Sequence, residues 1–247
     1  MMLYIGASQQ RLEENPNDKL LPGVEKMVTA IDRLALEPSK RSGEYLFWQD
    51  TSSSLQRLGM GVGISALIGL LVGLLTGAFP MVRAGFSPLI TAIALVPPMA
   101  ILPILFIIFG LGELSKVVLI VIGIAPFIVR DMQARTIEIP SEQLIKAQTL
   151  NANSWQILLR VLLPQIMPRL LDTVRLSLGA AWIFLIAAEA IASTDGLGYR
   201  IFLVRRYMSM DVILPYVVWI TVLAFFIDWA IRFASARLYP WYHSQKA

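Results

Sequence analysis

The sequence predicts an all-α, polytopic membrane protein, on three observations. Of its 247 residues 56% are hydrophobic and only 15% are charged, and the mean hydropathy is +0.65, well above an ordinary soluble domain. Several apolar stretches reach the roughly 20 residues that a helix rising about 1.5 Å per residue needs to cross about 30 Å of hydrocarbon. The polar residues gather between those stretches, as water-facing connections must.

Each element follows in order. Residues 1–8 are apolar but too short to span, and 9–54 form a net-acidic segment expected outside the hydrocarbon. Within it Val24, Met27, Val28, Ile31 and Leu34 recur at helical spacing after Pro22-Gly23, which predicts an interfacial amphipathic helix. The first span runs from about Leu55 to Phe79, with Asp50-Thr51-Ser52 suited to cap its start. Along it Gly61, Ser65, Gly69, Gly73 and Gly77 recur at every fourth position, a groove of small residues for close helix packing. The second span covers about Phe86–Phe109 and is interrupted by Pro97, Pro98 and Pro103. Broken backbone in a bilayer must be buried by protein or line an aqueous cavity, so Pro97, Pro98, Met99 and Pro103 are pathway-lining candidates, with a plain packing kink as the alternative.

The third span is about Leu114–Val129, the fourth about Asp172–Ala192 and the fifth about Val212–Phe233, so the membrane domain is 55–234 with a tail at 235–247. Between the third and fourth, residues 131–171 form a basic loop holding two amphipathic helices. Ser141 opens the first, Asn151 and Asn153 break it, and Ser154 begins a second that ends before Pro164. If that loop is cytoplasmic, the inside segments carry ten basic groups against four acidic ones, which sets the orientation: N-terminal segment external, tail cytoplasmic. Arg200, Arg205 and Arg206 run against that bias. An external start without a leader predicts that residues 1–8 end a further span encoded upstream, giving six in the full-length protein.

Several chemistries are excluded. No cysteine and a single histidine, His243, leave no zinc-protease or intramembrane serine-protease set, so Gly63-Ile64-Ser65-Ala66 reads as helix packing. No glycine-rich phosphate loop with Lys-Ser/Thr occurs, so the chain binds no ATP by that device. Glu189 stands near the outer end of the fourth span, where a gating or solute-contact role competes with a structural hydrogen bond. Asp228 and Arg232 lie four apart, the spacing of a helical ion pair.

Thr149-Leu150-Asn151-Ala152-Asn153-Ser154-Trp155 through Leu163-Pro164 resembles the EAA loop of binding-protein-dependent ABC importer permeases. Aligned on Pro164, the Glu-Ala-Ala positions are Ile145, Lys146 and Ala147, so the motif is degenerate; Glu142 lies one turn earlier, and Asn151 replaces the usual Gly. Val96-Pro97-Pro98-Met99 with Phe109-Gly110-Leu111-Gly112-Glu113, and Ala188-Glu189-Ala190 with Gly196-Leu197-Gly198-Tyr199, are similar to the nitrate/sulfonate/taurine branch of that family. The resemblance implies a homodimer in the bacterial inner membrane, two ATPase subunits that carry ATP and Mg, and an external solute-binding protein, with no nucleic acid. It implies that loop 141–164 couples to the ATPases through Glu142, Ile145, Lys146, Ala147, Thr149, Leu150, Asn151, Ala152, Ser154, Trp155, Leu163 and Pro164. The implied solute is small and polar: nitrate, a sulfonate, taurine, bicarbonate, or a urea- or guanidine-like compound. An ATP-independent transporter or channel is the alternative.

Overall fold

A computed structural model describes residues 20–39 and 43–244. The reading of residues 1–8 as the end of an upstream span lies outside the described residues. Among those described, all regular structure is helical: α1 (Val24–Leu36), α2 (Leu46–Ala78), α3 (Pro80–Leu95), α4 (Pro98–Phe109), α5 (Glu113–Ile137), α6 (Ser141–Thr149), α7 (Ser154–Ala192), α8 (Leu197–Arg205), α9 (Met210–Leu238) and α10 (Pro240–Ser244). Four of these, α2, α5, α7 and α9, are long and apolar enough to cross a membrane, and α3 with α4 is a pair bent by 93°.

The long helices pack through small residues because lipid removes any hydrophobic drive between them, leaving close contact to do the work. On α2 the Gly61, Ser65, Gly69, Gly73 and Gly77 stripe is buried. A methyl group added at Gly61 would sit 2.7 Å from Ile120 of α5, and methyls at Gly69, Gly73 and Gly77 would strike Ile128, Met132 and Thr136 in turn. The numbers rise together along both helices, so α2 and α5 run parallel and in register over four turns. Thr173 bonds Asp131, a methyl on Gly123 would meet Phe184, and Ala188 shares a cluster with Leu119; these pairs run in opposite senses, so α7 is antiparallel to α5. Helix α9 returns in the sense of α2, with Tyr216 bonded to Asp50 at one end and Asp228 bonded to Arg175 at the other.

This register decides what the bent pair is. Helix α2 finishes beside Thr136, yet α5 begins at Glu113, which bonds Arg57 twenty residues upstream of Gly77. Residues 79–112 must therefore climb back about 30 Å along the bundle. Helix α3 sits low, where Ser87 and Gln133 exchange bonds of 3.0 and 3.1 Å, and α4 sits high, packing Leu102 and Leu105 on Leu119 and Ala188. The pair is thus a broken fifth traverse, and an odd number of traverses leaves the start of α2 and the end of α9 at opposite ends of the bundle.

Of the boundaries that differ from the sequence reading, two have a tertiary or local structural cause. The first long helix starts at Leu46, not near Leu55, because Asp50, Thr51 and Ser54 find tertiary partners and cap nothing. The second hairpin helix does not stop before Pro164 but runs on through α7 to Ala192. A π-helical turn at Leu158–Leu162 widens the helix just before the proline, and the Leu163 N–H donates to Leu158 O. The extra residue in that turn makes room for a ring that an α-helical turn would exclude. The N-terminal amphipathic helix forms at Val24–Leu36 with Ala30 buried and Ile31, Leu34 and Ala35 against the core.

Candidate functional site

The hairpin projects from one end of the bundle. Its turn is closed by backbone bonds from Ala152 N–H to Ala147 O (3.0 Å) and from Asn151 N–H to Gln148 O (2.9 Å), with Asn151 left-handed at φ 62°. That pattern ends a helix only if one residue takes a positive φ, which Asn tolerates better than other side-chain-bearing residues. Asn153 then caps α7: its Oδ1 accepts from Gln156 N–H at 2.8 Å while Gln156 Oε1 accepts from Asn153 N–H at 3.0 Å. Ser154 is the first residue inside that helix, and Ser141 makes no cap bond at the start of α6, where Pro140 precedes it.

The apolar residues of the hairpin divide between two surfaces. Ile157, Leu158 and Leu162 are buried against the bundle, with Leu144, Ala147, Ala152 and Leu163 packed beside them. Ile145, Leu150, Trp155 and Leu159 face out, Leu150 at 76% and Trp155 at 62% exposure. Glu142, Lys146, Thr149, Asn151, Ser154 and Pro164 are exposed around them. The inner set anchors the lever; the outer set is left exposed among the described residues.

The bent traverse opens a second feature. Between it and α5 lies an open cleft of about 590 Å³, lined by Val96, Pro98, Gly123, Phe127, Arg130 and Phe184 among others. Pro98 lines it, whereas Pro97, Met99 and Pro103 are exposed and do not.

At the end opposite the hairpin an ion cluster ties five elements together. Glu189 is 0% exposed and accepts from Ser54 Oγ (2.7 Å), Arg57 (2.8 Å) and Gly198 N–H (2.9 Å). Arg57 also reaches Glu113 and Asp195, and Lys116 donates to Glu113 at 2.8 Å. Beside it Asp50 accepts from Gly196 N–H (2.9 Å), Arg200 (2.7 Å) and Tyr216 (3.1 Å). Burial opposes the charge on Arg200, but its bond to Asp50 and the attraction of Asp50, Tyr216 and Tyr199 together outweigh that and carry its pKa up. Gly196 is required here: its φ is 114°, and a methyl on it would lie 2.5 Å from the Glu189 carboxyl carbon. Every lone pair of Glu189 that these donors reach is thus committed inside the protomer. Sequence reasoning missed Arg57, Asp50, Glu113 and Asp195; the available signal was a cation, Arg57, within an otherwise apolar helix. Asp228 pairs with Arg232 at 3.0 Å, and also with Arg175 at 2.8 Å.

Residues 65–239 match the model of the family described as binding-protein-dependent transport system inner membrane component. The chain belongs to that family. It is 35% identical over 195 residues to the Escherichia coli taurine transport system permease protein TauC, covering 79% of this chain and 71% of that one. It is 29% identical over 198 residues to the putative aliphatic sulfonates transport permease protein SsuC of Bacillus subtilis (77% and 69%). A third relative, the Synechococcus elongatus bicarbonate transport system permease protein CmpB, is 30% identical over 173 residues (68% and 61%). The fold is that of a chain in an inward-facing structure of the MetNI methionine ABC transporter, with a TM-score of 0.66 at 22% identity, covering 81% of this chain and 97% of that one. The protein is therefore an ABC transporter permease subunit of the taurine and sulfonate branch, a multi-pass component of the inner membrane, and an ATP-independent transporter is not favoured. For this permease, the motif Ala188-Glu189-Ala190 and the motif Gly196-Leu197-Gly198-Tyr199 are one structural unit: the second supplies N–H groups and space for the carboxylate of the first.

Proposed function

We propose that two copies of this permease form the path of an importer for a small acid, with the 141–164 hairpin gripped by an ATPase subunit on the cytoplasmic side. The observation that carries the reading is the outward cluster of Ile145, Leu150, Trp155 and Leu159 on a lever whose other face is anchored. Large apolar side chains held out on a rigid polar hairpin fit a groove on a soluble partner, and an aromatic at the centre is the expected anchor. The ATPase binds ATP and Mg, an external binding protein delivers solute, and closure of the ATPases moves the hairpin and with it α7, since the second limb of the hairpin is the start of α7. The N-terminal segment lies outside and the tail inside, following the basic bias of the hairpin end. The cleft at Pro98 lines the path. Taurine, aliphatic sulfonates and bicarbonate, named for the relatives, each carry an ionised acid group at neutral pH, which favours an acid over a urea- or guanidine-like solute.

The test is Trp155→Ala co-expressed with the cognate ATPase. Trp155 contributes nothing to the core at 62% exposure, so the variant folds normally; ATPase co-purification and solute uptake both fall at least about tenfold, the scale of losing one interface anchor. Undiminished co-purification and uptake would falsify the docking role.

A further inference from the structure

At the end of the bundle that holds Arg57 and Glu189, charge is matched group by group. Arg57 faces Glu113, Glu189 and Asp195, Lys116 faces Glu113, and Arg200 faces Asp50. Two cations at the same end are left over, with one carboxylate, Asp211, which does not line the cleft the cations form. Arg205 and Arg206 make no hydrogen bond or ion pair among the described residues. Both line an open cleft of about 580 Å³ between the last turn of α7 and the face of α8, together with Ser193, Tyr199 and Phe202. The Arg205 guanidinium is held 5.6 Å above the Phe202 ring, which fixes it without neutralising it. Standing at the C-terminal end of α8 lowers the cost of these charges but supplies no counter-ion.

From this arrangement we infer that the cleft is a small-anion site that receives the sulfonate or carboxylate group of the solute on the way into the path. Two guanidinium groups offer up to ten N–H donors, and planar forks match the oxygens of such acids in pairs. The Ser193 hydroxyl adds a neutral donor, although its own proton is given to Asp195 O at 2.6 Å, so it reaches an anion only after turning away from that carbonyl. Aromatic walls at Tyr199 and Phe202 cover the organic part of the molecule. The volume holds a molecule of a few heavy atoms with its water, not a folded partner. A phospholipid head group is the competing occupant, and the experiment decides it.

This inference rests on the acid-importer reading, and its test is chosen to fail separately. The purified full chain is placed in nanodiscs of zwitterionic phosphatidylcholine, and the fluorine NMR linewidth of trifluoromethanesulfonate is titrated, with trifluoroethanol as the neutral control. Saturable broadening is expected for the sulfonate and not for the alcohol. The double substitution Arg205→Gln, Arg206→Gln weakens it at least about tenfold, while Arg205→Lys, Arg206→Lys restores most of it, since point charges keep part of the attraction. Neither pair of changes removes a contact within the protein beyond the Phe202 ring, so unfolding curves stay at wild-type values. Equal broadening in the Gln variant, or equal broadening by the alcohol, overturns the site. So does loss of the wild-type signal in nanodiscs containing phosphatidylglycerol, which would make the occupant a lipid. If the Arg variants behave as expected while Trp155→Ala leaves ATPase association intact, the anion site stands and the coupling reading falls.

Discussion

Replacing Glu189 with Ala should be the most destabilising single change at the non-hairpin end of the bundle. The carboxylate is fully buried and takes bonds from Ser54, Arg57 and the Gly198 N–H. Removing it does not strand Arg57, which keeps Glu113 and Asp195, and Ser54 keeps its bond from Leu197 N–H. What is lost is a charge-assisted bond of about 1.5–3 kcal/mol, and what is left behind is a buried Gly198 N–H without an acceptor, at about 1–3 kcal/mol. The sum, roughly 2.5–6 kcal/mol, brackets the usual cost of breaking a buried ion pair. Glu189→Gln should lose less, about 1–3 kcal/mol, because the amide oxygen still accepts from Arg57 while its NH2 confronts Gly198. Reversible unfolding in mixed micelles measures both, and hydrogen exchange at Gly196, Leu197 and Gly198 should accelerate first, since those N–H groups meet the cluster. An Ala variant within about 0.5 kcal/mol of wild type would refute the structural role. Loss of solute uptake by Glu189→Gln at unchanged stability would instead make Glu189 a solute contact.

The α2 glycines should divide sharply. Gly73→Ala presses a methyl on Met132 Cβ at 2.5 Å and on Val129 O at 2.8 Å, against backbone that cannot yield, and should cost about 1–3 kcal/mol in the same unfolding assay. Gly63→Ala meets nothing within 4 Å and should be neutral or stabilising by up to about 1 kcal/mol; equal losses at both sites would contradict the packing described. Asn151→Val forces a β-branched side chain to φ 62° and should cost about 1–2 kcal/mol, while Asn151→Gly should be tolerated; a thermally unchanged Val variant would mean the turn does not need its left-handed residue. The indole N–H of Trp182 is buried without a partner among the described residues, so Trp182→Phe should lose less than about 1.5 kcal/mol, and a larger loss of stability would reveal an acceptor.

Much of this protein is legible in its sequence because lipid imposes one-dimensional constraints. Apolar run length gives the long helices, the five-position stripe on α2 marks a close-packing face, and the left-handed backbone at Asn151 is legible because it stands where a helix must end. The Pro97-Pro98 pair marks a break, though a proline pair alone does not say by how much the chain turns. What only the tertiary structure decided is pairing. No local signal tells the Gly stripe to meet Ile120, Ile128, Met132 and Thr136, or shows that the broken pair must climb back past them. Asp50, Thr51 and Ser52 look like a helix cap from the sequence, because a polar cluster before an apolar run normally is one; here Asp50 and Thr51 have partners more than 140 residues away, and the helix runs past them. The continuation through Pro164 is hidden for a similar reason, since a single widened turn changes what a proline means. The chain's chemistry fixed which segments enter the membrane; only their packing fixed which buried charge each one answers, because a charge without water must find its counter-charge wherever the fold brings one within reach.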